Sequence, residues 1–210
     1  MIRVLIADDH PLVRAGLREL LKADPTITQI GEAGSGNETL TQLRLHPWNL
    51  LLLDINMPDR NGLDILRSVG ASYPDTKVLV LSGFPEKLYA VNVLKAGASG
   101  YVPKECAAEE LLTAIRTVLR GRRYVSAELA QTLAANFQSD GEQPMHGCLT
   151  EREFQVFFKI ATGRTVSSIG DELCLSVKTV STYRSRILEK MHFVSNADIT
   201  SYALRNALIQ

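Results

Sequence analysis

The stretch LLLLD, Leu50–Asp54, decides the fold of the first part of this sequence. Four successive leucines leave no position for a wet face, which is typical of a central strand buried on both sides. Other short apolar runs also end at polar residues: residues 4–7 before Asp8 and Asp9, 78–81 before Ser82, and 101–103 before Lys104. Such runs, separated by helical patterns, predict a parallel sheet with these polar residues along one edge.

Strand and helix patterns alternate five times along the first 123 residues. This order requires crossover connections and predicts an α/β fold, a doubly wound five-stranded parallel sheet with helices on both faces. The predicted strands are residues 2–7, 29–33, 50–54, 78–82 and 100–102. The predicted helices are residues 11–23, 38–46, 63–72, 86–95 and 107–119.

The rest of the chain has a different pattern. A predicted helix over 127–137 is followed by the polar stretch QSDGEQPMHG, residues 138–147, which has no apolar period and is typical of a flexible linker. Only helical patterns follow, at 151–162, 166–174, 177–192 and 197–208. We therefore predict an α/β domain over 1–123, a linker helix and flexible linker over 124–147, and an all-α, four-helix domain over 148–210.

Composition gives little direct indication of a partner. The 23 basic and 23 acidic side chains cancel, so no overall charge points to nucleic acid or to a membrane surface. The three cysteines lack metal-ligand spacing, and we find neither a signal sequence nor an apolar stretch long enough to span a bilayer. We expect a soluble protein of the reducing cytoplasm, without a membrane partner.

The polar residues at the strand ends suit a hard divalent cation. Mg²⁺ prefers oxygen ligands, usually one or two carboxylates completed by water and phosphate oxygens. Asp9 and Asp54 could ligate directly, Asp8 could hold a coordinated water, and Asn56 could add its backbone carbonyl. Taken alone, Asp9 could equally be a helix N-cap and Asp54 a turn residue.

The same group of residues also suits phosphoryl chemistry. A carboxylate such as Asp54 can act as a nucleophile and form an acyl phosphate when the transferred charge is neutralised. Lys104 would supply an ammonium group, and Ser82 a hydroxyl donor for a phosphoryl oxygen. Alone, Ser82 and Gly83 would be an ordinary strand-to-loop junction and a lone lysine is usually a solvated charge, but their order at successive strand ends favours one site.

Four motifs in the first part resemble the receiver domain of two-component response regulators. They are VLIADDH (4–10), DINMPDRNG (54–62), VLSG (80–83) and AGASGYVPK (96–104). The resemblance covers residues 1–123 and implies a flavodoxin-like fold. It further implies that Asp54 accepts a phosphoryl group from a sensor histidine kinase, that Asp8 and Asp9 bind Mg²⁺, and that Lys104 contacts the phosphoryl group.

The receiver resemblance also implies that Ser82 and Tyr101 form a switch pair. A dianion at Asp54 would attract the Ser82 hydroxyl and leave space for the Tyr101 ring. An isolated strand tyrosine is otherwise a core residue. Many receivers have proline after the lysine, whereas Glu105 follows Lys104 here, which leaves the geometry of that peptide bond open.

The predicted helices at 166–174 and 177–192 have the spacing of a helix-turn-helix. On the second of these, Val180, Ile187 and Met191 mark the buried side. The opposite, polar side carries Lys178, Ser181, Thr182, Ser185 and Glu189, with Arg186 at its margin. Arg184 lies nearer the buried side, and either reaches a phosphate or pairs within the domain.

Residues 149–207 resemble the LuxR-type helix-turn-helix of the NarL/FixJ class. The resemblance lies in LTEREFQV (149–156), in Ile169 and Leu173, and in LSVKTVSTYRSRILEKM (175–191). It implies that Lys178, Thr179, Ser181, Thr182 and Ser185 lie at or near double-stranded DNA, and we add the marginal Arg186. In the family the last helix, here 197–208, pairs subunits on DNA, although it could instead close the core of the domain.

Taken together, the two resemblances predict a DNA-binding transcription factor rather than an enzyme. Phosphorylation by a cognate sensor histidine kinase would favour a homodimer on paired half-sites. One alternative is a metal-dependent phosphohydrolase or phosphotransferase. The absence of a second acid/base residue argues against it. Another is a regulator whose helical domain binds protein instead of DNA. A Rossmann nucleotide site is disfavoured, because residues 31–36 are not G-x-G-x-x-G.

Overall fold

The computed structural model describes residues 2–57, 59–60, 62–83, 86–131, 145–173, 175–206 and 208–209. For residues 86–89, 92 and 151 it describes the backbone only. The chain forms two compact units, Met1–Gly141 and Glu142–Gln210.

The first unit contains a five-stranded sheet in the order β2-β1-β3-β4-β5, with every pair parallel. Its strands are β1 (Ile2–Ala7), β2 (Ile27–Ala33), β3 (Leu50–Asp54), β4 (Lys77–Ser82) and β5 (Gly100–Pro103). This is the flavodoxin-like, doubly wound order, which confirms the predicted fold class.

Five helices connect and cover these strands. They are α1 (Pro11–Lys22), α2 (Gly36–Leu45), α3 (Gly62–Ser72), α4 (Glu86–Lys95) and α5 (Ala108–Leu119). The side chains of β3 alternate between two cores, with Leu51 and Leu53 in one cluster and Leu50 and Leu52 in the other. All four leucines are fully buried, as a strand covered on both faces requires.

A tight approach shapes the chain directly after β3. A Cβ atom at Gly62 would lie only 2.5 Å from the Ile55 Cα atom, so only glycine fits at the start of α3. The loop from Asp54 therefore folds back closely on itself. This holds the carboxyl end of β3 in a compact turn.

The chain after α5 continues to pack on the first unit. The Tyr124 amide donates to the Ser99 carbonyl at 2.9 Å, and Tyr124 forms an isolated parallel bridge with Gly100 of β5. Residues 127–131 are helical, and Leu129 is fully buried in the same cluster as Tyr101. The rest of the predicted linker helix and most of the predicted flexible linker, residues 132–144, lie outside the described residues.

The second unit is entirely helical where the structure describes it. A 3₁₀ helix, Met145–Cys148, precedes α6 (Glu151–Ala161), α7 (Val166–Leu173), α8 (Val177–Lys190) and α9 (Asn196–Arg205). Thr150 and Glu153 form the predicted capping box, and Ser176 caps α8. Gly170 lets the helix-turn-helix close tightly, since a Cβ there would lie 2.8 Å from the Leu175 carbonyl oxygen.

Within the described parts of the chain, none of the helices combines the length and the apolar character needed to span a bilayer.

Candidate functional site

The polar residues predicted to converge follow neighbouring strands of the first unit. Asp54 is the last residue of β3 and Ser82 the last of β4, while Asp8 directly follows β1 and Lys104 directly follows β5. Strand pairing aligns Ala7 with Leu53, Asp54 with Leu81, and Ser82 with Pro103. The carboxyl ends of four strands thus meet along one edge, where parallel α/β sheets bind ligands.

Lys104 connects two buried carboxylates. Its Nζ atom lies 2.8 Å from Oδ2 of Asp54 and 2.7 Å from Oδ2 of Asp8. Asp54 is 0% exposed and Asp8 is also buried, so both charges are largely removed from water. This ammonium is therefore placed to neutralise negative charge at either carboxylate.

Burial and charge act in opposite directions on these groups. Burial raises the pKa of Asp54 above its ordinary value, although the Lys104 ammonium and the Asn56 amide pull it down. Burial tends to lower the pKa of Lys104, but Asp54 and Asp8 outweigh it and the net direction is upward. Lys104 thus stays charged, whereas Asp54 holds a proton more readily than an exposed aspartate.

Asp9 and His10 complete an acidic cluster with Asp8 and Asp54. One ligand atom from each of the four residues lies within 4.8 Å of all the others. Asp9 Oδ1 is buried and accepts no well-aligned hydrogen bond from the described residues, although His10 Nδ1 lies 2.7 Å away, so this oxygen would gain from a bound cation. The N-cap of α1 is His10, so Asp9 does not serve as the cap. Oxygen donors in this number and spacing fit a hard divalent cation.

Backbone interactions fix the loop after Asp54. The Asn56 amide donates to Asp54 Oδ1 at 2.9 Å, which is the turn chemistry that the sequence offered as the alternative for this residue. Further along, Asp59 accepts hydrogen bonds from the amides of Gly36 at 2.8 Å and Asn37 at 2.9 Å. These two bonds attach the loop to the N-terminus of α2 and lower the pKa of Asp59, outweighing the effect of burial.

The two residues of the predicted switch pair are both fully buried. Ser82 ends β4, and its carbonyl accepts the Lys104 amide at 2.8 Å, which ties β4 to the lysine. Tyr101 lies within β5 in the core. Every peptide bond among the described residues is trans, including the one between Lys104 and Glu105.

Sequence reasoning did not select His10 as a member of the acidic cluster, nor Asp59 as the residue that attaches the following loop to α2. The Nδ1 atom of His10 lies 2.7 Å from Asp9 Oδ1 and 3.2 Å from Asp8 Oδ1. The adjacency of an imidazole to two carboxylates was the available signal for His10. Asp59 had no signal of its own, because its partners lie more than twenty positions earlier in the chain.

In the second unit the predicted DNA-facing residues lie on α8. Val180 and Ile187 of that helix, and Met191 just after it, are fully buried, as predicted. The opposite side is largely exposed; Thr179 is partly buried, and the exposed members are Lys178, Ser181, Thr182, Ser185 and Arg186. The helix thus presents a polar side with two cations to solvent.

Two other predictions concern the packing of the second unit. Arg184 pairs within the domain, since its Nε atom donates to Asn196 Oδ1 at 2.6 Å. Tyr202 and Ala203 of α9 are buried, as is Leu208 just beyond it, and the Tyr202 hydroxyl lies 2.9 Å from His146 Nδ1. These side chains close the core of the unit, whereas Leu204 on the same helix is exposed.

Comparison with known proteins identifies both parts of the chain. Residues 4–116 match the response regulator receiver domain, and residues 148–203 match the bacterial regulatory proteins of the luxR family. Response regulator GacA of Pseudomonas protegens is 40% identical over 211 residues, covering 100% of this chain and 98% of that protein. Response regulator UvrY of Escherichia coli is 35% identical, covering 99% and 96% respectively.

A solved structure has the same fold. RcsB from Salmonella enterica serovar Typhimurium, bound to the promoter rprA in the presence of phosphomimetic BeF₃⁻, aligns with a TM-score of 0.64 at 24% identity. The alignment covers 96% of this chain and 97% of that one. At this identity the likeness establishes the fold alone, and the family assignment rests on the two domain matches and the full-length relatives. The chain belongs to the two-component response regulators of the NarL/FixJ type, transcription factors that join a receiver domain to a LuxR-type DNA-binding domain.

Proposed function

We propose that Asp54 is the phosphoacceptor, and that a cognate sensor histidine kinase is the phosphodonor. The observation that carries this proposal is the contact of Lys104 Nζ with Asp54 Oδ2 at 2.8 Å, in a pocket that excludes water from the carboxylate. Among the carboxylates of the cluster, Asp54 alone ends the central strand. It is directly followed by a loop whose amide at Asn56 fixes one of its oxygens.

In the proposed reaction, a carboxylate oxygen of Asp54 attacks the phosphorus of a phosphohistidine. The new O–P bond forms as the N–P bond breaks, and the kinase imidazole leaves. As the phosphoryl group is transferred, the Lys104 ammonium moves from the carboxylate to a negatively charged phosphoryl oxygen. Ser82, at the end of the neighbouring strand, donates its hydroxyl to another phosphoryl oxygen.

The acidic cluster supports Mg²⁺ as the cofactor. Asp9 and Asp54 would ligate directly, Asp8 through a coordinated water, and Asn56 through its backbone carbonyl. When bound, this cation supplies positive charge that offsets repulsion between the phosphoryl oxygens and the three carboxylates. The buried Asp9 Oδ1 supports this assignment, because it lacks a well-aligned hydrogen-bond donor among the described residues although His10 Nδ1 lies 2.7 Å away.

We propose that phosphorylation acts as a switch and that the receiver catalyses only its own phosphorylation and dephosphorylation. Movement of Ser82 toward the phosphoryl group would leave space that the Tyr101 ring enters. The phosphorylated form would be a homodimer, and the protein would act in the cytoplasm. Sedimentation with and without an acyl-phosphate donor tests the dimer, and an unchanged mass would contradict it.

We propose that the exposed side of α8 contacts double-stranded DNA. Lys178, Thr179, Ser181, Thr182, Ser185 and Arg186 are the proposed contact residues. The exposed cations and the spacing of α7 and α8 support this proposal. For the domain limits we propose 1–123, 124–147 and 148–210, with residues 124–131 packing on the receiver.

Two experiments test these proposals. Incubation with acetyl phosphate and Mg²⁺ should add one phosphoryl group to the intact protein, and Asp54→Asn should abolish the addition while Asp59→Asn retains it. Phosphorylation of Asp54→Asn at the same rate would contradict the assignment. Turnover of small phosphate esters would instead favour a phosphohydrolase.

The second experiment is a gel shift on the upstream region of the protein's own gene. The double variant Lys178→Ala, Thr182→Ala should lose the shift. The double variant Lys95→Ala, Thr113→Ala is a matched control, because both of these residues are exposed on helices of the first unit. Equal shifts by both double variants would contradict the proposed contact residues, and no shift with the wild type would favour a protein-binding role for the second domain.

A further inference from the structure

An arginine on α1 reaches back to the backbone that carries the first carboxylate of the acidic cluster. Arg14 Nη1 donates to the Asp8 carbonyl at 2.7 Å, at the short end of the range for such bonds. Arg14 lies four residues after the N-cap His10, and helix side chains lean toward the N-terminus, so the guanidinium extends over the first turn. The Arg14 side chain is only 18% exposed, so the contact is largely shielded from water.

The same guanidinium is also anchored on the neighbouring strand. Arg14 Nε donates to Glu32 Oε2 in a longer contact of 3.4 Å, and Glu32 belongs to β2, which lies beside β1 in the sheet. A Cβ atom at Gly34 would lie 3.5 Å from Arg14 Nη1, so the guanidinium packs against the backbone just after β2. Arg14 therefore joins the loop between β1 and α1 to the end of β2.

Asp8 is thus held through both polar groups of its backbone. Its amide donates to the Ala33 carbonyl at 3.1 Å, and its carbonyl accepts the bond from Arg14. Asp9 follows directly, so a shift of this backbone would move two carboxylates relative to Asp54. Mg²⁺ requires near-octahedral oxygen ligands, and groups that orient such ligands from outside contribute to metal affinity.

The charge of Arg14 and its bond to Asp8 act in opposite directions on metal binding. A guanidinium near the site repels a cation, so loss of the charge alone would tighten binding. Arg18 carries the same charge one turn further along α1, and its Nη1 atom pairs with Glu32 Oε1 at 3.1 Å. Among the described residues, Arg18 contacts Glu19 and Glu32 instead of Asp8. Arg18 therefore matches Arg14 in charge and in its partner on β2 but not in the bond to Asp8.

We propose that Arg14 is a positioning residue for the metal site, which holds the Asp8 carbonyl and so places the carboxylates of Asp8 and Asp9 for Mg²⁺. The inference rests on the proposed function of the acidic cluster and adds to it a residue that acts through Asp8 without touching the metal. Loss of such an outer partner weakens metal binding by roughly ten- to a hundredfold. Because loss of the positive charge offsets part of this, we expect binding about tenfold weaker in Arg14→Ala.

The test is a calorimetric titration of the full-length protein with Mg²⁺. Arg14→Ala should bind about tenfold more weakly than wild type, whereas Arg18→Ala should bind equally or slightly more tightly. Arg14→Lys keeps the charge and one donor, so its affinity should lie between those of wild type and Arg14→Ala. Unfolding by urea in EDTA, followed by Trp48 fluorescence, separates the proposal from a structural role. A structural role alone would lower the free energy of unfolding and leave the Mg²⁺ affinity of the folded protein unchanged.

Wild-type affinity in Arg14→Ala, or tighter binding, would overturn the inference while leaving the proposed metal site intact. If Arg14→Ala does not fold, Arg14→Lys decides, with Arg18→Lys as its control. Equal Mg²⁺ affinities of these two lysine variants would then overturn the inference. A wild-type protein that binds no Mg²⁺ would contradict the proposed metal site and, with it, the inference.

Discussion

Replacing Asp54 by asparagine should stabilise the receiver when no metal is present. The neutral amide removes repulsion from Asp8 and Asp9, whose ligand atoms lie within 4.8 Å. At that distance and an effective dielectric constant of about 20, each repulsion is worth about 3.5 kcal/mol. The lost attraction to Lys104, at 2.8 Å, is worth about 6 kcal/mol on the same scale.

The two repulsions together thus exceed the attraction by about 1 kcal/mol. Relief of the desolvation of a fully buried carboxylate acts in the same direction, so we expect a gain of about 1 to 2 kcal/mol in the free energy of unfolding. Mg²⁺ should stabilise wild type more than the variant, because it binds the native wild-type site more tightly.

Urea denaturation measures the effect directly. Trp48 is the single tryptophan of the sequence and is buried in the first unit, so its fluorescence reports on the unfolding of the receiver alone. The measurement is made with EDTA and with saturating Mg²⁺. Asp59→Asn is the matched control and should lose about 1 kcal/mol in both buffers, because its carboxylate accepts two amides at the N-terminus of α2. A lower free energy of unfolding for Asp54→Asn in EDTA would refute the reasoning, since the pair with Lys104 would then dominate.

Three further predictions concern pH, charge and the second domain. Because burial raises the pKa of Asp54, protons should compete with Mg²⁺ at a higher pH than they would at an exposed aspartate. Calorimetric titrations should therefore show that the affinity for Mg²⁺ falls as the pH falls, and an affinity that stays constant down to about pH 4 would contradict this. Lys104→Met should bind Mg²⁺ about tenfold more tightly, because a competing cation is removed, but should be phosphorylated more slowly. Weaker Mg²⁺ binding by this variant would contradict a site in which Lys104 and the metal compete for the same carboxylates. Glu153→Ala should destabilise the second domain by about 2 kcal/mol and Glu153→Gln by about half as much, because glutamine keeps the capping box but loses the 2.6 Å ion pair with Lys190. Thermal unfolding followed by circular dichroism measures both losses, and equal losses would show that the ion pair with Lys190 contributes nothing.

The strand ends were predictable because their signals are local. Leu50–Asp54 is buried on both faces as its composition required, and the order of Asp8, Asp54, Ser82 and Lys104 along the sheet follows from the parallel topology. The end of the last helix was less predictable. It was expected at residue 208 but lies at Arg205, because Leu208 packs into the core from beyond the helix.

Other features depend on partners that are distant in sequence. β2 begins at Ile27, two residues earlier than predicted, where it pairs with Ile2. The packing of Tyr124 beside Gly100 depends on where β5 begins in space. The inward hydrogen bonds of Thr182 and Ser185 depend on rotamers, which a pattern of polar residues does not fix.

The central claim is that Asp54 carries the phosphoryl group that switches this protein. Borohydride reduces an aspartyl phosphate to homoserine, so treatment after incubation with acetyl phosphate and Mg²⁺ marks the modified residue permanently. Peptide mass spectrometry should place homoserine at position 54, and EDTA should abolish the mark. Homoserine at position 8 or 9 instead, or no mark in protein that binds Mg²⁺, would contradict the account.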